Sequence, residues 1–374
     1  MLSGILVFAA ALFVMAASCY LLFITSDPLE KVGGRLGHLL HLPEDVIAST
    51  FQALATSGPE ITMAILAATA FVAGEQWAGL QLAEKASSGA LNMVFSAMSN
   101  LLGIGCLGIL YMLWKKTMQP EEILDIEPSG KICLLFYVAA SGCLSLFLTN
   151  DLWSGREIGI LTELEAWVLA AIGISFVLAQ FFIPNLVKRT KRKNASALPA
   201  ASSGPEGEVP LPQNVREWMK DFTKNAFIYA ALVFALIVFV RACMDATFDM
   251  ATIGIVSVGG VLIMFTSYVS SFPEFMLTYR YAKAVKKAAL MGMLFGSNVI
   301  DLAFAGFRAI WLHEPMEIYT TGRMPQLLPV YIWVLPVLAI LSLIGLWRGK
   351  IKAKYAYPLM VFYIIYTVSG FVLL

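Results

Sequence analysis

Long runs of apolar residues, separated by shorter polar stretches, recur along the whole chain. Ten of these runs are long enough to cross a bilayer as helices, which takes about 20 residues. They cover residues 3–25, 43–72, 88–114, 131–149, 160–187, 225–242, 251–281, 285–312, 327–347 and 355–373. The pattern predicts an all-α polytopic membrane protein with ten transmembrane helices.

One long hydrophilic stretch, residues 188–222, leaves five of the predicted spans before it and five after it. It opens with a run of Lys and Arg and continues through a piece rich in Ser, Ala, Gly and Pro, a composition that favours disorder. Residues 214–224 have the pattern of a short amphipathic helix on the membrane surface. We therefore expect a first five-helix half, a loop and a second five-helix half, at residues 1–187, 188–222 and 223–374.

Composition narrows the class of protein further. The chain is 59% hydrophobic and 14% charged, with a net charge of +1. These values exclude an ordinary soluble domain and give no strong field that would attract nucleic acid. The five cysteines form no CxxC pair, which argues against a disulfide framework or a zinc site. The three histidines fall near the ends of predicted helices, so we expect no histidine relay inside the membrane.

The positive charges orient the predicted spans. With ten spans, 21 of the 26 Lys and Arg residues fall on one side, including all of those in the loop. Because positive residues stay cytoplasmic, we expect the loop 188–222 in the cytoplasm and both termini outside, in a plasma or inner membrane. An odd number of spans in each half also inverts the second half relative to the first.

Two segments within the apolar runs carry the same polar signature. In the first, residues 56–60 read TSGPE and residues 96–100 read SAMSN; in the second, residues 270–274 read SSFPE and residues 297–301 read SNVID. An internal repeat of this kind predicts inverted halves with a site at their interface, near the bilayer midplane. We place the two repeats at about 45–110 and about 260–310.

Three carboxylates, Glu60, Glu274 and Asp301, fall at membrane depth in these repeats. An uncompensated carboxylate in lipid is costly, so such a group is a functional candidate. A proline inside a helix frees a carbonyl oxygen, and a serine hydroxyl precedes each acid by three or four residues, on the same helix face. Carboxylate, hydroxyl and carbonyl oxygens are ligands of hard cations. Each serine alone could instead join helices structurally, but the three acids together favour a cation site.

The repeats resemble the α-repeats of the sodium/calcium exchangers in the cation/calcium antiporter superfamily. The resemblance implies ten helices, two of which slide against a rigid core in alternating access, and transport of Ca²⁺ and Na⁺ with no cofactor. It implies that Glu60 and Glu274 bind both ions and that Asn100 and Asp301 complete the site. The further ligands it implies are the hydroxyls of Thr56, Ser57, Ser96, Ser270, Ser271 and Ser297 and the backbone carbonyls of Ala53 and Ser267.

The same comparison leaves the coupling ion open. The Asp at position 301 resembles the residue that potassium-dependent and archaeal-type exchangers have at the equivalent position. Glu274, in contrast, stands where many potassium-dependent members carry Asp. A potassium-dependent or proton-coupled calcium exchanger with the same fold is therefore the first alternative. Two other classes are a passive cation channel and an intramembrane hydrolase, although no histidine lies near a membrane serine.

We therefore expect a secondary transporter and not an enzyme. Its expected partners are calcium and sodium ions, with K⁺ left open, and membrane lipid, without nucleic acid; the sequence identifies no protein partner.

Overall fold

The computed structural model describes residues 2–40, 42, 44–61, 64–65, 92–124, 128–154, 160–194, 214–252, 266–317 and 324–373. Apart from one short two-stranded ribbon, the regular structure of these residues is helical, which confirms the predicted helical class. The piece predicted to be disordered, residues 195–213, lies outside the described residues.

The first half of the chain contains both long helices and short helical pieces. In chain order these are α1 (Leu2–Leu39), α2 (Glu44–Ile47), a π-helix (Ala48–Gln52), α3 (Ala53–Thr56), a second π-helix (Ser99–Ile104), α4 (Gly105–Trp114), α5 (Pro128–Ser154) and α6 (Glu163–Asn194). Residues 58–61 and 92–98 are helical as well. The short pieces coincide with the first polar signature.

The second half has a matching mixture of long and short helices. In chain order these are α7 (Val215–Thr252), α8 (Thr266–Ser270), α9 (Phe272–Lys283), α10 (Lys287–Phe304), α11 (Phe307–Leu312), α12 (Met324–Trp347), a 3-10 turn (Ala353–Tyr355) and α13 (Ala356–Leu373). Strand β1 (Ile160–Leu161) pairs antiparallel with β2 (Met316–Glu317), with Ile160 opposite Glu317.

Several described helices can cross a membrane. Five are long and apolar enough by length and composition: Asn92–Trp114, Gly130–Thr149, Glu163–Phe182, Val215–Phe239 and Lys287–Leu312. Two shorter apolar helices cover Ala9–Ser18 and Ile332–Trp347. All seven overlap runs that the hydrophobic pattern predicts as spans, and Val215–Phe239 begins ten residues before the run 225–242.

The helices on either side of the central loop reach further into it than the sequence predicts. Helix α6 continues to Asn194, through the basic run. Lys and Arg have high helix propensity, and their positive charges interact favourably with the negative C-terminal end of the helix dipole. Helix α7 already begins at Val215, where the Asn214 side chain accepts a hydrogen bond from the Glu217 N–H at 2.8 Å. The expected separate surface helix at 214–224 is therefore wrong, since those residues form the first turns of a long helix without Gly or Pro.

Helix α10 lies at the centre of the molecule. Its residues from Gly292 to Ala303 are buried, and it packs against α5, α6 and the π-helix at residues 48–52. A Cβ atom on Gly296 would lie 2.4 Å from the backbone oxygen of Ser49, so only glycine permits this approach. Helices α1 and α7 pack mainly against each other.

Ion pairs connect the two halves at one end of the helices. The Arg280 guanidinium bridges to Asp27 of α1 at 2.7 Å. Glu121, which follows α4, accepts hydrogen bonds from Lys352 and Lys354, each at 2.6 Å. These two lysines lower the pKa of the Glu121 carboxyl to about 2. Because the group is exposed to solvent, the pairs fix geometry more than they add stability.

Candidate cation site

The polar signature of each repeat lies where a helix is interrupted. Ser57 follows α3 with φ −76° and ψ −2°, and Ser271 separates α8 from α9 with φ −80° and ψ 6°. A proline two residues further on has no N–H with which to continue the helical ladder. The backbone angles of the two interruptions are nearly equal, as expected of equivalent positions in a repeat.

All twelve predicted site residues are buried in the interior, and none is more than 1% exposed. Burial of so many polar groups in an apolar bundle requires hydrogen bonds or ions to compensate them. The contacts of each group therefore show which of them could bind a cation.

The first glutamate is connected to both repeats by serine hydroxyls. Ser96 of its own repeat donates a hydrogen bond to Oε1 of Glu60 at 2.9 Å. The same Ser96 hydroxyl lies 2.6 Å from the hydroxyl of Ser271, which belongs to the second repeat.

The second glutamate has the same arrangement with the repeats exchanged. Ser297 donates to Oε1 of Glu274 at 2.8 Å, and its hydroxyl lies 2.8 Å from that of Ser57 in the first repeat. Each glutamate is thus joined, through one serine of its own repeat, to the serine that lies three residues before the glutamate of the other repeat. This crossed pattern places the two interrupted helices against one another around the carboxylates.

The remaining hydroxyls of the signatures follow the same exchange. Thr56 lies within interaction distance of Glu274, and Ser270 lies within interaction distance of Glu60. Asn92 also donates its side-chain amide to the Ser270 hydroxyl at 3.3 Å. Sequence reasoning missed Asn92, although an amide four residues before Ser96 in an apolar run was the available signal.

The two predicted carbonyl ligands are already engaged by their own helices. The Ala53 oxygen accepts from the Ser57 N–H at 2.9 Å and from the Thr56 hydroxyl at 3.1 Å. The Ser267 oxygen accepts from the Ser271 N–H at 3.0 Å and from the Ser270 hydroxyl at 3.3 Å. A carbonyl has two lone pairs, so these oxygens would bind an ion only if one of those bonds changed.

Several acidic and amide oxygens in the site have no hydrogen-bond partner among the described residues. They are Oε2 of Glu60, Oε2 of Glu274, both carboxylate oxygens of Asp301, and the side-chain oxygens of Asn100 and Asn298. A buried carboxylate oxygen without a partner costs several kcal/mol. A bound cation would supply the compensation, since carboxylate and amide oxygens are its preferred ligands.

The three carboxylates share one region without converging on one point. Glu60, Glu274 and Asp301 interact electrostatically with one another. Within the part of the chain that the structure describes, however, no three His, Cys, Asp or Glu side chains are close enough to hold one metal ion together.

Asn298 is a second polar residue that sequence reasoning left unassigned. It is fully buried beside Tyr137 of α5, next to Ser297 in the sequence. Its place inside the second signature was the available signal, but the first repeat carries Ala97 there.

Comparison with known proteins identifies the family. A family model described as sodium/calcium exchanger protein matches residues 3–198, more than half of the chain. The chain belongs to the sodium/calcium exchanger protein family. It is therefore an integral membrane antiporter and not an enzyme, and Na⁺ and Ca²⁺ are its transported ions. The comparisons give no support to potassium, to a hydrolase or to a channel.

Solved structures share the fold. The sodium-calcium exchanger NCX_Mj soaked with 2.5 mM Na⁺ and 10 mM Sr²⁺ has a TM-score of 0.63 and 16% identity, covering 97% of this chain and 99% of that chain. The same exchanger soaked with 2.5 mM Na⁺ and 0.1 mM Ca²⁺ has a TM-score of 0.61 and 16% identity, covering 96% and 98%. A search of curated proteins found no sequence match.

Proposed function

We propose that the chain exchanges sodium for calcium by alternating access, with both ions competing for one buried region between the two repeats. The observation that carries this proposal is the pair of crossed hydrogen-bond connections, from Glu60 to Ser271 and from Glu274 to Ser57, beside carboxylate oxygens without partners. Structures of NCX_Mj soaked with Na⁺ and with Sr²⁺ or Ca²⁺, described in terms of ion exchange and binding-site occlusion, support the same types of ion here.

Glu60 and Glu274 are the proposed ligands shared by calcium and sodium. Their unpartnered Oε2 atoms would face the ion while the serine hydroxyls hold Oε1. Asp301 and Asn100 are the proposed ligands of ions bound beside these glutamates, because their side-chain oxygens are equally buried and unpartnered. The signature hydroxyls can turn their lone pairs toward a cation, since a hydroxyl both donates and accepts.

Exchange follows from the charge of the site. Two or three buried negative charges can be neutralised by one calcium ion or by several sodium ions. The empty site stays charged, and moving it past lipid-facing surfaces would be costly. We infer that only a loaded site changes the side to which it opens, which couples the two ion flows.

The hydrogen bonds between the repeats would also couple ion binding to the conformation of both halves. Each glutamate contacts, through one serine, the interrupted helix of the other half. An ion that draws a carboxylate toward itself changes contacts in both halves at once. A ligand shifts a conformational equilibrium only through such differential contacts.

The proposed topology is ten helices in two inverted five-helix halves, residues 1–187 and 223–374. They are joined by a cytoplasmic connection at 188–222, into which helices α6 and α7 extend from either side. Two groups of contacts support it. The ion pairs of Arg280 and Glu121 join residues that the charge distribution assigns to the cytoplasm. Strands β1 and β2 pair two connections assigned to the outside of a plasma or inner membrane.

Calcium uptake into proteoliposomes tests the function. With an outward sodium gradient, we expect the wild type to accumulate calcium and both Glu60→Gln and Glu274→Gln to lose at least about 95% of that flux, because a buried neutral amide cannot balance the ion. Glu314→Gln changes an exposed acid beyond α11 and should retain full flux.

The counter-ion is tested in the same vesicles. Replacing the sodium gradient by a potassium or proton gradient should give no uptake. Full sodium-driven flux in both glutamate variants, with protein that elutes as a single species, would exclude the assigned site. Calcium uptake under a proton gradient that equals the uptake under the sodium gradient would assign the coupling role to protons instead of sodium.

A further inference from the structure

A groove outside the candidate cation site lies between helices α4 and α9. Its volume is about 310 Å³, and Leu107, Leu110 and Phe275 are among its apolar lining residues. None of its lining residues is a proposed cation ligand. The groove is within the size range of small-molecule sites, which begins at about 300 Å³.

The two helices present the same sequence of side chains along the groove. On α4 and just beyond it, Leu107, Tyr111 and Lys115 follow at intervals of four residues, and on α9 Phe275, Tyr279 and Lys283 do the same. Residues four apart share a helix face. Each helix therefore offers an apolar residue, then a tyrosine, then a lysine, in the same direction.

The aromatic level of the groove is closed by contact between the helices. The rings of Tyr111 and Tyr279 meet edge to face with centroids 5.3 Å apart. Next to them, the Lys115 ammonium lies 4.2 Å from the ring centroid of Trp114, whose side chain is 71% exposed. Apolar wall, aromatic ring and cation in this order are typical of a membrane–water interface, where tyrosine and tryptophan lie at the level of the lipid head groups.

The charge at this end of the groove is positive. Lys115, Lys116 and Lys283 are exposed. The two glutamates that follow α4 are engaged with other lysines: Glu121 with Lys352 and Lys354, and Glu122 with Lys287. An anionic group is therefore the complement of this end.

We propose that this groove binds an anionic phospholipid of the surrounding bilayer. One acyl chain lies along the apolar wall, and the phosphate lies between Lys115 and Lys283. The lipid would bridge α9, which carries Glu274, and the helix that carries Asn100, and so hold together two elements of the ion site.

Quenching of Trp114 fluorescence by brominated lipid tests the proposal. The full chain is reconstituted in phosphatidylcholine with a small fraction of brominated phosphatidylglycerol or brominated phosphatidylcholine, and the Trp114 signal is taken as the difference between wild type and Trp114→Phe. We expect the anionic lipid to quench Trp114 more strongly at equal mole fraction. Lys115→Gln and Lys283→Gln should each lower that preference by about fivefold.

A matched control separates a site from the general attraction of a basic surface. Lys131 lies 5.8 Å from the ring of Trp347, the same type of pair at another place. Lys131→Gln should leave the preference at Trp114 unchanged. Equal quenching by the two brominated lipids, or a preference that survives loss of both groove lysines, would mean unselective boundary lipid and would overturn the proposal.

Discussion

Each glutamate of the candidate site has one oxygen that accepts a hydrogen bond and one that does not. Oε1 of Glu60 accepts from Ser96 and Oε1 of Glu274 from Ser297, whereas both Oε2 atoms have no partner among the described residues. A hydroxyl that holds one oxygen fixes the orientation of the carboxylate, as outer partners of metal ligands commonly do. The serines therefore matter for the direction of the ligands as well as for their number.

Removal of the crossing hydroxyls should weaken ion binding to the same degree in both repeats. Ser57→Ala deletes the contact with Ser297, and Ser271→Ala deletes the contact with Ser96. Loss of one buried hydrogen bond costs about 1 kcal/mol, so the calcium concentration for half-maximal uptake should rise by about fivefold in each variant. Initial rates of uptake into proteoliposomes measure it.

Ser141→Ala is the control for that measurement. Its hydroxyl is equally buried but donates to the Tyr137 carbonyl of its own helix at 2.7 Å. It should leave the half-maximal concentration unchanged. An unchanged value in Ser57→Ala, or a shift confined to one repeat, would contradict the equivalence of the two crossings.

At the scale of helices, the site depends on how closely α10 approaches the interrupted helix of the first repeat. That approach occurs at Gly296, one residue before Ser297, where a Cβ atom would lie 2.4 Å from the Ser49 oxygen. The contact atom is backbone in a π-helix, a geometry that is frequent at functional sites. Neither helix can yield by changing a rotamer.

Gly296→Ala should therefore separate these helices. Overpacking of this kind costs about 1–3 kcal/mol, so we expect a lower Tm in detergent and reduced calcium uptake. Gly142→Ala is the matched control, since its Cβ would meet nothing within 4 Å and alanine favours a helix. Equal melting temperatures for the two variants would show that the close contact at Gly296 is absent in the membrane protein.

At the scale of the whole molecule, the two ends of the helix bundle differ in chemistry. One end carries Lys and Arg ion pairs between the halves, such as Arg280 with Asp27 and Glu121 with Lys352. The other end carries the ribbon of β1 and β2 and a contact between His313 and Glu163 at 2.9 Å. This division agrees with the topology expected from the positive charges, in which the first end is cytoplasmic.

Cysteine labelling tests that orientation. Gln119→Cys marks the ion-paired end and Glu314→Cys marks the end of the ribbon, and both positions are exposed. A membrane-impermeant maleimide added to right-side-out vesicles should label position 314 and spare position 119, and inside-out vesicles should give the reverse. Wild-type protein measured in parallel corrects for its own cysteines. Labelling of both positions from one side would refute the inverted arrangement.

The sequence by itself determined which residues stand out and to which family the chain belongs. In a chain that is 59% hydrophobic, a carboxylate inside an apolar run is conspicuous, because a charge in the membrane interior is energetically costly and therefore indicates a functional site. Two copies of one signature then identified Glu60, Glu274 and their serines, and the structure finds all of them buried together. Helix positions followed from hydrophobicity, whereas helix ends such as Asn194 and Val215 did not, because polar helices and polar loops have similar composition.

Only the tertiary structure decided which side chains of different helices contact each other. Periodicity assigns a side chain to a face of its own helix and does not say which helix that face meets. For that reason the crossing of Ser57 and Ser271 into the opposite repeat and the contact of Asn92 with Ser270 had to come from packing. The composition of the site is local in sequence, but its geometry is set by contacts between residues up to 240 positions apart.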